Sequence, residues 1–167
     1  QRQLELLGIR DHVTGFLGYR GMIMAGMEIE EDRIHRKEDY LALILQVPEI
    51  KILAHQYSPK VQQEILKTIR DGILKLGPIA NIASYIGSGV FICFGKTRFL
   101  DDLTEKIEQL KAHIEGLTSI AGVSCTLTLE TGGIAHEGDA AVVGLDAVQQ
   151  GVHLQGVDGA GSCALIA

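Results

Sequence analysis

Positive charge is in short supply. Fifteen Lys and Arg stand against 21 Asp and Glu, a formal net charge of −6 at pH 7. Surfaces for nucleic acid or anionic membrane draw affinity from a basic field, so neither fits this balance. Cysteine is scarce as well. Cys93, Cys125 and Cys163 are odd in number and show no C-x-x-C spacing. That argues against a disulfide framework and a zinc site, and leaves buried free thiols of a cytosolic protein. No apolar run reaches the roughly 18 residues a membrane span needs, so this segment is expected not to insert. The six histidines show no H-E-x-x-H or other ligand spacing, and HEGD (136–139) reads as a polar turn. GAGSCA (159–164) fits G-x-G-x-x-A, but too little chain follows for a strand–helix–strand unit. No signal peptide is visible, and the chain opens on Gln1 in mid-pattern, as expected for a piece of a longer protein.

What is present describes a globular domain. Apolar residues make up 46% and charged residues 22% of 167, enough for one sizeable core. QRQLELLGI reads as the end of a helix entering from upstream, and RDHVTGFLGYRG as a glycine-punctuated turn. Residues 22–39 have helical composition, with Ile23, Met27 and Ile34 on one face and a charged, solvated run from Glu28 to Lys37. Met22, Met24 and Met27 are expected as core filler. YLALILQV (40–47) is a near-continuous apolar run of strand length, as a central strand buried on both faces would be. Ser58 and Pro59 mark a helix start, Val61, Ile65, Ile69 and Ile73 recur at a spacing of four, and Gly77 can close the helix. YIGSGVFICFG (85–95) is two strand halves about a small hinge. A further helix is capped by Asp101 or Asp102 and lined by Leu103, Ile107, Leu110, Ile114 and Leu117. SCTLTLETGG alternates with Cys125, Leu127 and Leu129 on one side. A short helix over about 139–155 and a Gly-rich tail close the chain. Strands alternating with long helices mean one sheet with helices packed on it.

Four stretches then stand in a known order and spacing. DHVTGFLGYR (11–20) keeps Asp11, Thr14, Gly15 and Arg20 of an opening D-P-L-T-G-L-x-N-R. LALILQVPEIKILAHQYSPKVQQEIL (41–66) lies without a gap on D-x-D-x-F-K-x-I-N-D-x-x-G-H-x-x-G-D-x-x-L, with Ile50, Lys51, Leu53 and Leu66 keeping its hydrophobic and Lys pattern. GSGVF (87–91) occupies the signature hairpin and keeps Gly87 and Phe91, and LTLETGGIA (127–135) looks like T-V-S-I-G-I-A. By these landmarks the chain resembles a GGDEF domain, the diguanylate cyclase fold, over essentially its whole length. The resemblance implies an α/β (α+β) fold of ferredoxin-like or palm type, a central antiparallel-containing sheet flanked by helices, as in nucleotidyl cyclases. It divides the chain into the end of an upstream linker helix (1–8) and a single degenerate domain (9–167).

The family joins two GTP molecules into cyclic di-GMP across a dimer, with Mg²⁺ or Mn²⁺ held by carboxylates. Mg²⁺ is a hard cation that wants anionic oxygen, and two-metal phosphoryl transfer needs several carboxylates. Carried over position by position, the resemblance puts the strand's metal-binding Asp on Gln46 and its second Asp on Pro48. The guanine-reading Asn and Asp fall on Ala54 and Gln63. In the hairpin, the second Gly is Ser88, the acid after it Gly89, and the metal-binding Glu is Val90. The phosphate-contacting Lys and Arg of the closing motif become Gly156 and Ala160, and the inhibitory R-x-x-D falls on PIAN (78–81). Without metal and oriented phosphates the main stabilisation of a phosphoryl-transfer transition state is gone.

The resemblance therefore implies no cyclase activity and no Mg²⁺ or Mn²⁺ cofactor. The expected role is a non-catalytic signalling module of a larger bacterial cyclic-di-GMP-type protein, in its cytoplasmic part. It would act by homodimerisation or relay to a protein partner or neighbouring sensor or output domain. Two alternatives stand. The Gly87–Ser88–Gly89 turn could still hold GTP through its backbone N–H groups without turnover, although Ala54 and Gln63 lack the base-reading groups. Or a weakly active cyclase could borrow carboxylates such as Glu49 or Glu130; if Glu49 continues the strand, alternation turns it away from the site.

Overall fold

The structure, a computed structural model, describes residues 9–96, 102–137, 140–144, 153–155 and 164–166. Its centre is β1, Tyr40–Gln46, whose apolar residues are expected on both faces of a sheet interior. On one side β1 pairs with β3, Val90–Lys96, which pairs in turn with β2, Ile82–Tyr85. On the other it pairs with β6, Glu130–Glu137, and then β7, Ala140–Gly144. The sheet has the order β2-β3-β1-β6-β7 and is antiparallel throughout. Two minor pairs stand apart from it: β4, Ser119–Ile120, with β5, Val123–Ser124, and β8, His153–Gln155, with β9, Ala164–Ile166.

The two faces of β1 bury different things. Leu41, Leu43 and Leu45 point to the main core, where α3, Pro59–Leu74, supplies Ile65, Ile69 and Ile73. To the same core α4, Leu103–Glu115, adds one stripe of Leu103, Ile107, Leu110 and Ile114. Each fully buried Leu or Ile contributes about 1.5–3 kcal/mol, so this layer dominates stability. The start of α3 is as its sequence predicts: the Val61 N–H donates to Ser58 Oγ at 3.3 Å, with Pro59 next in the chain. Its end differs. Lys75 is the C-cap, and Gly77, at φ +87°, opens the following 3₁₀ turn rather than closing α3. Asp102 stands at the N-cap of α4 but makes no cap bond with its side chain.

The opposite face of the sheet carries α1, Tyr19–Arg36, and here the sequence reading needs correction. Of the three methionines expected as filler only Met22 is buried, packed with Ile44, Val90 and Ile92. Ile23, Met24, Met27 and Ile34 are exposed. The cause is which side of the helix reaches the sheet. Met22 meets Ile44, Val90 and Ile92 of the sheet and a Cβ on Gly26 would lie 3.7 Å from Phe94, so the helix sits down on its Met22–Gly26 side; on its flank a Cβ on Gly21 would lie 2.6 Å from Ile9 of the preceding segment. The charged run is not wholly solvated either: Arg33 is buried and its guanidinium donates twice to Glu30, at 2.8 and 3.1 Å.

The opening motif is a loop-builder. The Thr14 N–H and hydroxyl both donate to Asp11 Oδ2 at 2.7 Å, and Phe16 N–H donates to Thr14 Oγ1. The turn delivers Leu17 to the outer edge of β2, where it bonds Ala83 and Tyr85 through their backbones. At the far end of the chain, where a helix is expected over about 139–155, the described residues are strands instead: β7 and β8. AAVVG contains the β-branched Val142 and Val143 and pairs along Gly133 to Glu137, and this tertiary partner outweighs weak local helix periodicity. The strand expected at 124–133 begins only at Glu130, though burial alternates before it at Cys125, Leu127 and Leu129. His136 and Glu137 of the expected polar turn end β6. Residues 1–8, Asp101, Gly156, Ala160, Cys163 and the GAGSC stretch lie outside the described residues. Among those described, no helix is long and apolar enough to cross a membrane.

Cys93 and Cys125 are buried and free. Burial pushes the Cys93 thiol from 9.0 up to about 12. A raised folded-state pKa means the native state holds its proton longer than the unfolded chain. This contribution to stability is therefore full below pH 9 and lost as pH climbs toward 12, at about 1.4 kcal/mol per pH unit. Native Cys93 is expected to resist a thiol reagent at about pH 8 and to react on unfolding. Rapid labelling of Cys93 in the native protein, read by peptide mass spectrometry, would contradict its burial.

Candidate functional site: the β2–β3 hairpin

The site is built where β1 runs out. Pro48 has no N–H to give a ladder and a φ suited to a helix start, so the chain leaves the sheet after Gln46. It enters α2, Pro48–Ile52, with Pro48 in the first turn. Beside this exit lies the tip of the β2–β3 hairpin. Val90 N–H donates to the Gly87 carbonyl at 3.0 Å, which makes Ser88 and Gly89 the two central turn residues. Both have positive φ, +54° and +77°, the left-handed pair of a type I′ turn, and Gly87 before them is at +92°. The turn is locked to the end of β1 by the Val47 N–H donating to the Gly89 carbonyl at 2.9 Å.

Gly89 is the tightest point. A Cβ there would meet the Val47 carbonyl oxygen at 2.3 Å, while one on Gly87 would meet nothing within 4 Å. The turn's backbone donors are partly committed. Gly89 N–H donates to the Tyr85 hydroxyl at 3.2 Å, and Val90 N–H to Gly87. Burial pushes the Tyr85 hydroxyl above its ordinary pKa; the Gly89 N–H offsets part of this and the Asp11 carboxylate adds to it. Tyr85 packs against Phe91 at 4.7 Å between ring centroids, and Phe91 meets Phe16 edge-on at 6.3 Å.

Strand register brings the sequence-predicted residues together. Gln46 is directly opposite Val90 on β3 and directly opposite Glu130 on β6, so the three form one row on the α1 face. Gln46 is half-buried, and Val90 is part of the Met22 cluster. Phe91, next in the chain, points the other way into the main core and is fully buried. Pro48 stands off the row in α2. Ala54 follows in the turn after α2, and its carbonyl accepts from Gln62 Nε2 at 2.8 Å, while Gln63 on α3 is exposed. The structure also corrects the expectation for Glu49. It belongs to the first turn of α2 rather than to a strand, and its carboxylate accepts from the Thr128 N–H and hydroxyl at 2.8–3.0 Å. Glu115 accepts from the next amide, Leu129 N–H, at 3.0 Å. These two carboxylates satisfy backbone donors of 125–129, which no strand pairs, and nothing in the local sequence signals that use. Among the described residues no group of three His, Cys, Asp or Glu is placed to hold a metal ion.

This arrangement of sheet, helices and hairpin recurs in solved structures. The GGDEF domain of FimX from Pseudomonas aeruginosa superposes with a TM-score of 0.69 at 14% identity, over 80% of this chain and 83% of that one. The coiled coil and GGDEF domain of DgcB from Caulobacter crescentus, in complex with c-di-GMP, gives 0.71 at 9% identity, over 84% and 75%.

The chain has the GGDEF-domain fold.

Diguanylate cyclase SiaD from Pseudomonas aeruginosa, in complex with its activator SiaC, shares the fold at a TM-score of 0.66 and 18% identity, over 81% of this chain. The chain spans about half of SiaD, 53%. No family model and no curated protein matches the sequence. The nucleotidyl cyclase-like, ferredoxin-type sheet expected from the sequence is the one observed. Within this GGDEF fold, PIAN forms the 3₁₀ turn Pro78–Asn81 with Ile79 and Ala80 buried.

Proposed function

We propose that this chain is a non-catalytic GGDEF signalling module of a larger bacterial cyclic-di-GMP-type protein, acting by dimerisation or relay to a protein partner. The observation that carries the reading is the opposed pair Gln46 and Val90. The resemblance puts the metal-binding Asp and Glu at these two positions, and here they are an amide and an isopropyl group. Glu130 adds one carboxylate to the row, against the four positive charges of two Mg²⁺. Hard cations are not held by such a set, so the residues do not fit the family's metal pair. Gly89 supports the same reading, since its contact with Val47 leaves no room for the acid the family carries there. SiaD, solved with its activator SiaC, illustrates a GGDEF-fold protein with a protein partner.

The purified domain, incubated with GTP and Mn²⁺ and analysed by mass spectrometry, is expected to yield no cyclic di-GMP. Steady accumulation of product would overturn the non-catalytic reading. Calorimetry with GTP and excess Mg²⁺ is expected to show no heat. Two turn N–H groups are already bonded within the protein, and an unpaired buried guanine group costs about 1–3 kcal/mol. Micromolar binding would instead make the module a nucleotide sensor.

A further inference from the structure

We propose that the exposed face of α1 is a self-association surface, on which a second copy of this chain packs antiparallel. An 18-residue helix that buries only one side against its sheet leaves the other to solvent, and here that other side carries an apolar stripe among charged residues. Tyr19, Ile23, Met27 and Ile34 recur at steps of four, four and seven, one stripe of a helix with about 3.6 residues per turn. Met24, 54% exposed, and Met27, 69% exposed, widen it at the centre. Contiguous apolar surface of this kind marks an interaction site far more often than isolated exposed side chains do.

Charge selects the occupant and its direction. Arg20 and Glu31 lie on the same face three turns apart, both exposed, and neither forms an ion pair among the described residues. A two-fold axis crossing the helix between Ala25 and Gly26 sets Arg20 against Glu31 of the second copy. The same axis sets Met24 against Met27 of the second copy, and symmetry repeats each couple. A parallel arrangement would instead oppose Arg20 to Arg20 and Glu31 to Glu31. The contact is isologous, so it closes as a dimer and does not propagate. One helix about 27 Å long buries less than the roughly 800 Å² per partner of a standard interface, so association in the micromolar range is expected.

The inference names the contact behind the dimerisation reading and rests on it. The test is sedimentation of the full chain from micromolar to near-millimolar concentration. Wild type is expected to move from monomer to dimer mass. Arg20→Glu and Glu31→Arg should each weaken association roughly tenfold, and the double exchange should restore it. Met27→Glu should leave a monomer with an unchanged circular dichroism spectrum, because the side chain is exposed. A wild-type monomer at every concentration would overturn the proposal, as would a dimer that Arg20→Glu and Met27→Glu leave intact. Cyclic di-GMP formation is assayed separately. A monomer that makes no product sinks this surface alone, and leaves relay to another protein standing.

Discussion

Replacing Gly89 with aspartate, the change that would restore the family's acid in the hairpin, is expected to lower the melting temperature by about 4–12 °C, at about 2–4 °C per kcal/mol for a domain of this size. Two costs add. A side chain in the left-handed region costs about 1–2 kcal/mol, and Gly89 sits at φ +77°. The new Cβ would also start 2.3 Å from the Val47 carbonyl oxygen, a backbone atom that cannot swing aside as a side chain does. Relief requires the turn to move, and that breaks the 2.9 Å bond from Val47 N–H to the Gly89 carbonyl, worth about 1 kcal/mol. Gly87→Ala separates the contributions. Gly87 has φ +92° and open space around its Cβ, so only the conformational cost applies there. Thermal unfolding of the two variants should therefore differ clearly. If Gly89→Asp melts with wild type, the turn accommodates an acid and its shape does not exclude the family's residue.

Phe91→Ala should have the larger effect, about 3–5 kcal/mol by the usual cost of truncating a buried aromatic. Phe91 is fully buried, and it touches Tyr85 and Phe16, which belong to β2 and to the loop before α1. Its loss opens a cavity where hairpin, loop and main core meet. Since native domains are stable by only about 5–15 kcal/mol, the variant is expected to be marginal. Denaturant titration provides the measurement, with Phe91→Leu as the milder partner that refills most of the space. A Phe91→Ala midpoint within error of wild type would show that the hairpin is not anchored through this ring. Phe91 is, with Gly87, a hairpin residue shared with the family pattern, and its role here is packing rather than chemistry.

Much of this was legible in the linear chain because it depends on local chemistry. The Ser58–Pro59 start, the stripes of α3 and α4 and the apolar run of β1 are all set by neighbours within a few residues. The neutral character of Gln46, Ser88, Gly89 and Val90 is likewise a matter of residue identity. Other features depended on partners distant in sequence. Residue type placed Met24 and Met27 in a core, but which side of α1 meets the sheet was decided by the packing of Met22 and Gly26 against β1 and β3. The AAVVG segment became a strand because β6 offered it an edge. Glu49 could not be read as the acceptor for Thr128, since 79 residues separate them.

The order of the main helices and central strands, and the neutral residues at the positions the resemblance marks for metal, follow from pattern and residue type, which are properties of the chain alone. Folding alone puts Gln46, Val90 and Glu130 in one row, leaves Gly89 no room for a side chain, and turns Met24 and Met27 of α1 outward. Those facts depend on strand register and on which surfaces touch, and contacts between residues far apart in sequence exist only once the chain has folded.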